Sequence, residues 1–284
     1  MLVVQAETCE VRLGGAGAVA GLLRGLDAEV LLAGVVGDDH EGCTARRLLN
    51  EAGIDDRTVL TDATRPTTHK QRFLATVEQR QPHQILRVDH EQTHPLAAEL
   101  VESLAAALAA RMPSVDAVLI SDYATGVCTP ELLQRVIRAA REQGVPVAVD
   151  PARIADYERY RGATLVKPNR REAERVTGKA IHSPTDALDA GRTLVQWHGF
   201  KAVVVTLDGE GMAVVGKKGT ELILRDGPEG AAHNLAPSRF FTKDEKGTHR
   251  ILFGTTLADL GILAACRRVV QVTWPRTSGH LGGR

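Results

Sequence analysis

Short apolar runs that alternate with longer helical stretches limit the fold of this chain more than any other feature. Residues 30–36 and 145–149 are continuous apolar runs, as expected of strands that are buried on both faces. Helical segments such as residues 130–143 separate these runs. Because strands and helices that alternate in this way build a parallel sheet, we predict an α/β fold.

Composition and charge exclude several classes of protein. The 284 residues, 43% of them hydrophobic, are enough for one large α/β domain or two small ones. Lys+Arg and Asp+Glu are 35 each, and no run of like charges marks a nucleic-acid or membrane surface. Aromatic residues make up only 4%, which argues against base stacking. We therefore expect no nucleic-acid partner.

The cysteines and the N-terminal residues indicate a cytoplasmic protein. The four cysteines are scattered and form no CxxC motif, as expected of reduced thiols. The N-terminus has no basic region of the kind that opens a signal peptide. No apolar run approaches the length of a membrane span, so we expect no association with a membrane.

The stretch Lys167-Pro-Asn-Arg-Arg-Glu172 closes an apolar run and opens a helix. Asn169 lies near the N-cap, and Glu172 follows three residues later on the same helical face. One interpretation is a capping box. The other is a ligand site, since ligands bind at the carboxyl ends of parallel strands and helix N-termini favour anions. Glu172 cannot bind a phosphate itself, but it can hold Mg²⁺ through water beside one.

Other strand ends favour the ligand interpretation. Asp122 and Asp150 each follow a predicted strand, so their side chains meet Asn169 at one edge of a parallel sheet. Capping alone does not explain this convergence. Residues 202–212 form a strand that enters a glycine-rich turn, which can lie against a nucleotide or simply connect a hairpin.

Two further segments supply candidate substrate contacts. Gly14 and Gly15 precede small residues and allow a ligand to approach the backbone, although tight helix packing is the alternative. Lys70 and Arg72 lie on one face of an alternating segment that suits a β-ribbon with residues 85–89. They can bind a phosphate on a substrate, or they form a solvated ribbon face.

His90-Glu-Gln-Thr-His94 matches the HExxH pattern of zinc proteases. That chemistry needs both histidines on one face of a continuous helix. Pro95 follows immediately and suits the first turn of the next helix, which leaves the motif outside it. We therefore predict that this segment is not a protease site.

An ordered set of motifs resembles the ribokinase-like (PfkB) sugar kinases, and within them the kinase domain of the heptose 7-phosphate kinases that supply ADP-heptose for lipopolysaccharide. The motifs are Gly14-Gly15, Gly37-Asp38-Asp39, Thr68-x-Lys70-x-Arg72, Ser121-Asp-Tyr123, Val149-Asp-Pro151, Tyr160-Arg-Gly-Ala163, Pro168-Asn-x-x-Glu172 and Thr206-Leu-Asp-Gly-Glu-Gly-Met212. The resemblance implies a ribokinase-like αβα sandwich with a mostly parallel central sheet. It also implies a small β lid from about residues 1–12 and 67–90, which often mediates a homodimer.

The same resemblance implies roles for individual residues. ATP and Mg²⁺ are the expected cofactors, and a small sugar phosphate is the expected substrate. Glu172 is the expected Mg²⁺ residue and is expected to act through water. The residues implied for the nucleotide are Asn169, Glu172, Thr206, Asp208, Gly209 and Gly211, and those assigned to the substrate are Gly14, Gly15, Lys70, Arg72 and Asp122.

The chain departs from the family pattern at the catalytic base. The Gly-Ala-Gly-Asp signature, which supplies backbone amides for the phosphate and an aspartate for the hydroxyl proton, is missing. Its nearest counterpart is residues 253–265. If this segment occupies the same place, Thr255 stands where the base should be, and a neutral hydroxyl cannot accept the proton. Ala18 stands where the family has an asparagine, and the family's opening strand with its sugar-binding aspartate has no counterpart.

We therefore predict a kinase domain over residues 1–226, a divergent part over 227–284, and weak or absent turnover. The alternatives are a nucleotide- or sugar-binding protein without catalysis, and a truncated product without function.

Overall fold

The computed structural model describes residues 6–75, 83–216, 219–224, 241–243, 249–251, 268–272 and 275–283. The chain divides into two compact units. The first unit comprises residues 1–108, 123–128 and 270–284, and the second comprises residues 109–122 and 129–269. The domain boundary at residue 226 stays a prediction.

The described residues form helices and strands in alternation through most of the chain. The α-helices are α1 (Ala16–Arg24), α2 (His40–Glu51), α3 (Ala98–Arg111), α4 (Pro130–Glu142), α5 (Arg170–Thr177) and α6 (Pro184–His198). The strands are β1 (Ala6–Gly15), β2 (Glu29–Val36), β3 (Asp55–Thr61), β4 (His69–Ala75), β5 (His83–His90), β6 (Ala117–Ser121), β7 (Val147–Asp150), β8 (Leu165–Val166), β9 (Ala202–Thr206), β10 (Gly211–Gly216), β11 (Gly219–Leu224), β12 (Phe241–Lys243), β13 (His249–Ile251), β14 (Arg268–Val272) and β15 (Pro275–Gly283).

The helices of the second unit begin and end at residues that favour those positions. The Thr129 side chain caps α4 by accepting a hydrogen bond from the Leu132 amide at 3.2 Å, and a proline opens the helix. Ser183 begins α6 with a capping box. Gly178 and Gly199 follow α5 and α6 with φ of 68° and 71°, a conformation that costs glycine little. Local sequence therefore sets the limits of these helices.

The first unit contains a small sheet with strand order β1-β15-β4-β5. β4 and β5 form an antiparallel ribbon in which Lys70 lies opposite Asp89 and Arg72 lies opposite Arg87. β15 pairs antiparallel with β1 and parallel with β4. The sequence analysis did not predict this strand, because the residues near the C-terminus follow no strand-helix pattern.

The first unit also contains the parallel pair of β2 and β3, with β14 on the other side of β2. β2 is the predicted buried strand, and Leu32, Ala33 and Val35 are fully buried. α2 follows β2 after a turn at Gly37, where an added side chain would lie 2.6 Å from the Arg65 carbonyl oxygen. Glycine is required at this turn because the neighbouring backbone leaves no room for a side chain.

The second unit contains the strands β6, β7, β8 and β9 in that order, all parallel. β10 and β11 continue the sheet as antiparallel strands beyond β9. α4 belongs to the same unit, and it buries an apolar stripe of Leu132, Leu133, Val136, Ile137 and Ala140. The predicted α/β class with a mostly parallel sheet is confirmed.

The HExxH segment lies outside a helix, as predicted. His90 ends β5, residues 91–97 are not helical, and α3 begins only at Ala98. The two histidines therefore do not share a helical face. Among the described helices, none has the length and apolar character needed to cross a membrane.

Candidate functional site

The turn from β8 into α5 carries the residues on which the sequence analysis concentrated. The Asn169 side chain accepts a hydrogen bond from the Glu172 amide at 3.0 Å, and Glu172 Oε2 accepts one from the Asn169 amide at 2.9 Å. These two bonds form the capping box that was one of the two interpretations. Glu172 is only 8% exposed, and its Oε1 lies 3.8 Å from Nε of the exposed Arg153. The cap therefore uses one carboxylate oxygen of Glu172.

The predicted nucleotide turn lies directly beside this cap. Asn169 and Thr206 form a parallel bridge, and the Thr206 amide donates to the Pro168 carbonyl at 3.0 Å. After Thr206 the chain makes a 3₁₀ turn over residues 208–210 and returns as β10, so the hairpin interpretation is correct for the backbone. Asp208 has a φ of 52° and Gly211 a φ of 123°, which makes this a tight, unusual turn.

Arg170 connects the glycine-rich turn to α5. Its guanidinium lies 3.0 Å from Glu210 and 3.7 Å from Asp208, and it also donates to the Ile181 carbonyl at 2.8 Å. The sequence analysis missed this residue, although its position directly after the N-cap is a usable signal. Arg170 therefore fixes the turn that carries Asp208 and Gly209 relative to the start of the helix.

Two carboxylates from neighbouring strand ends lie at the same edge of the sheet. Asp150 ends β7 and pairs with Lys167 at 2.9 Å. The Asp122 amide donates to the Asp150 carbonyl at 3.0 Å. The predicted convergence of Asp122, Asp150 and Asn169 follows from the parallel order of their strands.

The Asp122 side chain is buried and engaged within the protein. Its Oδ2 accepts a hydrogen bond from the Tyr160 hydroxyl at 2.7 Å and lies 3.4 Å from Nη1 of Arg159. The fully buried Tyr160 hydroxyl in turn accepts from the Ala152 amide at 3.0 Å. Tyr160 belongs to one of the family motifs, but no role was predicted for it. Its contact with Asp122 shows that it orients this carboxylate.

Tyr157 contributes to the electrostatics of this region. Its hydroxyl is buried and has no hydrogen-bond partner among the described residues. Burial and then the negative charges of Glu172 and Asp150 raise the pKa of Tyr157, so it stays neutral. Glu172, Asp150, Asn169 and Thr206 thus lie at this strand edge. This set of hard oxygen donors suits Mg²⁺ with a nucleotide.

The candidate substrate residues in the first unit lie on its small sheet and on the turn that leaves it. Gly15 has a φ of 53° and is the N-cap of α1, so the Gly14-Gly15 pair makes the turn from strand to helix. Lys70 is bonded to Asp89 at 2.6 Å and Glu91 at 2.8 Å. A phosphate at Lys70 would have to share it with these two carboxylates.

The residues proposed at the position of the catalytic base lie outside the described residues. They are Thr255 and the whole segment 253–265. The role of Thr255 therefore stays a prediction.

Comparison with known proteins gives three consistent similarities. Residues 1–230 match the model of the family described as pfkB family carbohydrate kinase. A bifunctional protein HldE of Geobacter metallireducens is 39% identical over 258 residues, which are 90% of this chain and 48% of that protein. A second HldE, from Caulobacter vibrioides, is 40% identical over 75% of this chain and 42% of its own length. The chain thus spans about half the length of the curated relatives it matches.

Solved structures agree on the fold. The Arabidopsis thaliana ribokinase complexed with ribose and ATP superposes with a TM-score of 0.56 at 20% identity, covering 78% of this chain and 69% of that one. The Escherichia coli phosphofructokinase-2 complexed with fructose-6-phosphate gives 0.55 at 21% identity, over 76% and 69%. These similarities confirm the predicted ribokinase-like fold.

Proposed function

We propose that this chain, which belongs to the pfkB family of carbohydrate kinases, transfers the γ-phosphate of ATP to a hydroxyl of a sugar phosphate. Heptose 7-phosphate is the proposed substrate, on the strength of the sequence resemblance and the HldE relatives. Because the chain spans about half of those relatives, the proposal concerns only the phosphoryl transfer and not a second activity.

One observation supports the site more than any other, namely the bridge between Asn169 and Thr206 beside the capped Glu172. The bridge makes Asn169 and Thr206 neighbours at the carboxyl edge of parallel strands, and ligands bind at this edge in open α/β sheets, which supports the proposal. In the proposed site Glu172 holds Mg²⁺ through water, and the metal neutralises charge on the phosphates. The turn at Asp208, Gly209 and Gly211 lies along the nucleotide.

We assign the substrate to Gly14, Gly15, Lys70, Arg72 and Asp122. Lys70 and Arg72 supply positive charge for a phosphate on the sugar. Asp122 has its carboxylate set by Tyr160 and Arg159. These roles stay proposals, as do a cytoplasmic location and a homodimer formed through the β1, β4 and β5 strands.

We expect slow turnover, because Thr255 stands where the family has its aspartate base. The test is an ADP-release assay with Mg²⁺, ATP and heptose 7-phosphate, with a reaction lacking the sugar as control. Turnover below the usual ~1 to 100 per second of kinases is expected. Thr255→Asp should raise it, and turnover in the usual range for the unchanged chain would contradict the assignment of Thr255.

The missing signature also favours a second candidate, a nucleotide-binding protein without catalysis. It predicts that Mg²⁺ and ATP raise the melting temperature while no sugar-dependent ADP appears. If the unchanged chain releases ADP only when the sugar is present, and Glu172→Gln abolishes this release, the result favours the kinase over the protein without catalysis.

A further inference from the structure

Three side chains that commonly bind metals meet in the second unit, and none of them is among the residues assigned above to nucleotide and sugar. Asp156 and Glu158 lie between β7 and β8, and His198 is the last residue of α6. One ligand atom of each lies within 4.8 Å of the others. About forty residues separate His198 from the two carboxylates, so only the fold brings them together.

His198 is the feature that points to a ligand. It is 6% exposed, and neither of its ring nitrogens has a hydrogen-bond partner among the described residues. Nδ1 lies 3.7 Å from Oε2 of Glu158, which is too long for a hydrogen bond. Buried polar groups without partners are rare in folded proteins and call for an explanation such as a bound ion or water.

The imidazole is held in place and suited to coordination. Its ring stacks on Phe200 with centroids 5.4 Å apart and lies against Tyr157 at 6.3 Å. His198 also lines a cavity of about 650 Å³.

Glu158 can coordinate a metal without losing its existing partner. Its carboxylate oxygens accept hydrogen bonds from Nε and Nη2 of Arg161. A carboxylate has about four lone-pair sites, so a bidentate arginine leaves sites for a metal. Arg161 then resembles the outer partners that orient metal-bound carboxylates.

We propose that Asp156, Glu158 and His198 form a binding site for a divalent transition-metal ion such as Zn²⁺. One imidazole nitrogen and two carboxylate oxygens suit Zn²⁺ better than Mg²⁺ or Ca²⁺, which prefer oxygen alone. Ligands at ~2.0 to 2.2 Å from zinc lie at most about 4 Å apart. The ligand atoms lie within 4.8 Å of one another in the structure, and rotation of the exposed Asp156 and Glu158 side chains brings them to the shorter distances that zinc requires.

Metal binding here would attach the end of α6 to the segment between β7 and β8. That segment also carries Arg159 and Tyr160, which both contact Asp122. The proposed ion would thus stabilise the short 3₁₀ turn Glu158–Tyr160 that positions this carboxylate.

Calorimetric titration of the nucleotide-free full chain with Zn²⁺ tests the site. The Glu158 amide donates a hydrogen bond to Asp156 Oδ1 at 2.9 Å. Asp156→Asn keeps an acceptor for this bond and removes only the charge. We expect Asp156→Asn and Glu158→Gln each to weaken Zn²⁺ binding by at least about 10-fold, since even outer-shell changes cost that much. Glu142→Gln removes an exposed carboxylate from the same unit and should leave binding unchanged.

A double Asp156→Asn, Glu158→Gln variant that binds Zn²⁺ as tightly as the unchanged chain would overturn the proposal, and would direct attention to the exposed thiols of Cys9 and Cys43. Because removal of the buried ring of His198 could unfold the unit, its role is tested by NMR of the unchanged chain. Stoichiometric Zn²⁺ should shift one ring-nitrogen resonance of His198. Binding that leaves both ring nitrogens unshifted would equally refute the site.

Discussion

The helices α2 and α5 both begin beside a capping carboxylate, and these two carboxylates are used to different extents. At α2, Asp39 Oδ1 accepts from the Gly42 amide and the Thr67 hydroxyl, and Oδ2 accepts from the Thr67 amide. At α5, Glu172 accepts one backbone hydrogen bond through Oε2, and Oε1 has only the distant Arg153 among its described contacts.

The comparison separates a structural carboxylate from one that can serve a ligand. Asp39 satisfies two backbone amides and one hydroxyl, so its binding capacity is largely filled by the protein. Glu172 keeps an oxygen for a water or a cation at the edge where the nucleotide turn lies. Similar caps in a sequence can therefore have different uses, and the number of acceptor sites left over is what distinguishes them.

The largest effect is expected from Asp39→Ala. The change removes the N-cap of α2 and leaves the Thr67 amide without a partner, which costs about 3 kcal/mol of unfolding free energy. Urea denaturation measures the loss. Asp38→Ala, which alters the exposed neighbour, is the matched control. If Asp38→Ala lowers the free energy of unfolding as much as Asp39→Ala does, the structural role of Asp39 is contradicted.

Glu172→Gln tests the other side of the comparison. Glutamine can still accept the hydrogen bond from the Asn169 amide, so the capping box and the melting temperature should be retained. Removal of the charge should weaken Mg²⁺ binding, so that the Mg²⁺ concentration needed for half-maximal ATP binding rises by about 10- to 100-fold. Calorimetric titration of ATP at several Mg²⁺ concentrations measures this. If the dependence does not change, Glu172 acts only as a cap.

The pH dependence of stability should reflect the hydrogen bonds of Asp39. Burial acts to raise its pKa, but the bonds from Thr67 and Gly42 together hold the pKa of Asp39 below its ordinary value. The stabilisation is therefore complete above about pH 4, where the unfolded carboxylate is ionised, and is lost as the pH falls through the lower folded pKa. Urea titrations at pH 7, about 4 and about 3 should show a smaller acid-induced loss in Asp39→Asn than in the unchanged chain.

The smallest effect is expected from Arg170→Met. The pairs of Arg170 with Asp208 and Glu210 are partly exposed, and such pairs contribute at most about 1 kcal/mol. Loss of this link to the turn should weaken ATP binding by about 2- to 5-fold. Arg171→Met, at the exposed next position, is the control. Identical ATP affinities in the two variants would show that Arg170 does not contribute to ATP binding.

Local chemistry explains what could be predicted from the sequence. The strand before Pro168, the cap at Asn169 and the stop at Gly178 depend on residues close together in the chain, and all three are present. The parallel order of strands then brought Asp122 and Asp150 to the same edge. These features follow from periodicity and turn chemistry, which a sequence displays directly.

Contacts between distant segments could not be predicted in this way. The bond from Tyr160 to Asp122 spans 38 residues, and the cluster of Asp156, Glu158 and His198 joins a loop to the end of a later helix. No periodic pattern specifies which residue faces which across such separations. The same reason explains why the insertion of β15 between β1 and β4 was missed.

The position of β15 has a consequence for synthesis of the protein. β1 leaves the ribosome before the strand that pairs with it, because paired residues such as Leu13 and Thr277 are about 260 residues apart in the chain. At ~5 to 20 residues per second, β1 waits roughly 13 to 53 seconds for this strand, and β4, whose residue His69 pairs with Thr277, waits roughly 10 to 42 seconds. Their unpaired edges are exposed during that interval, and we expect chaperones to bind there and misassembly to begin there.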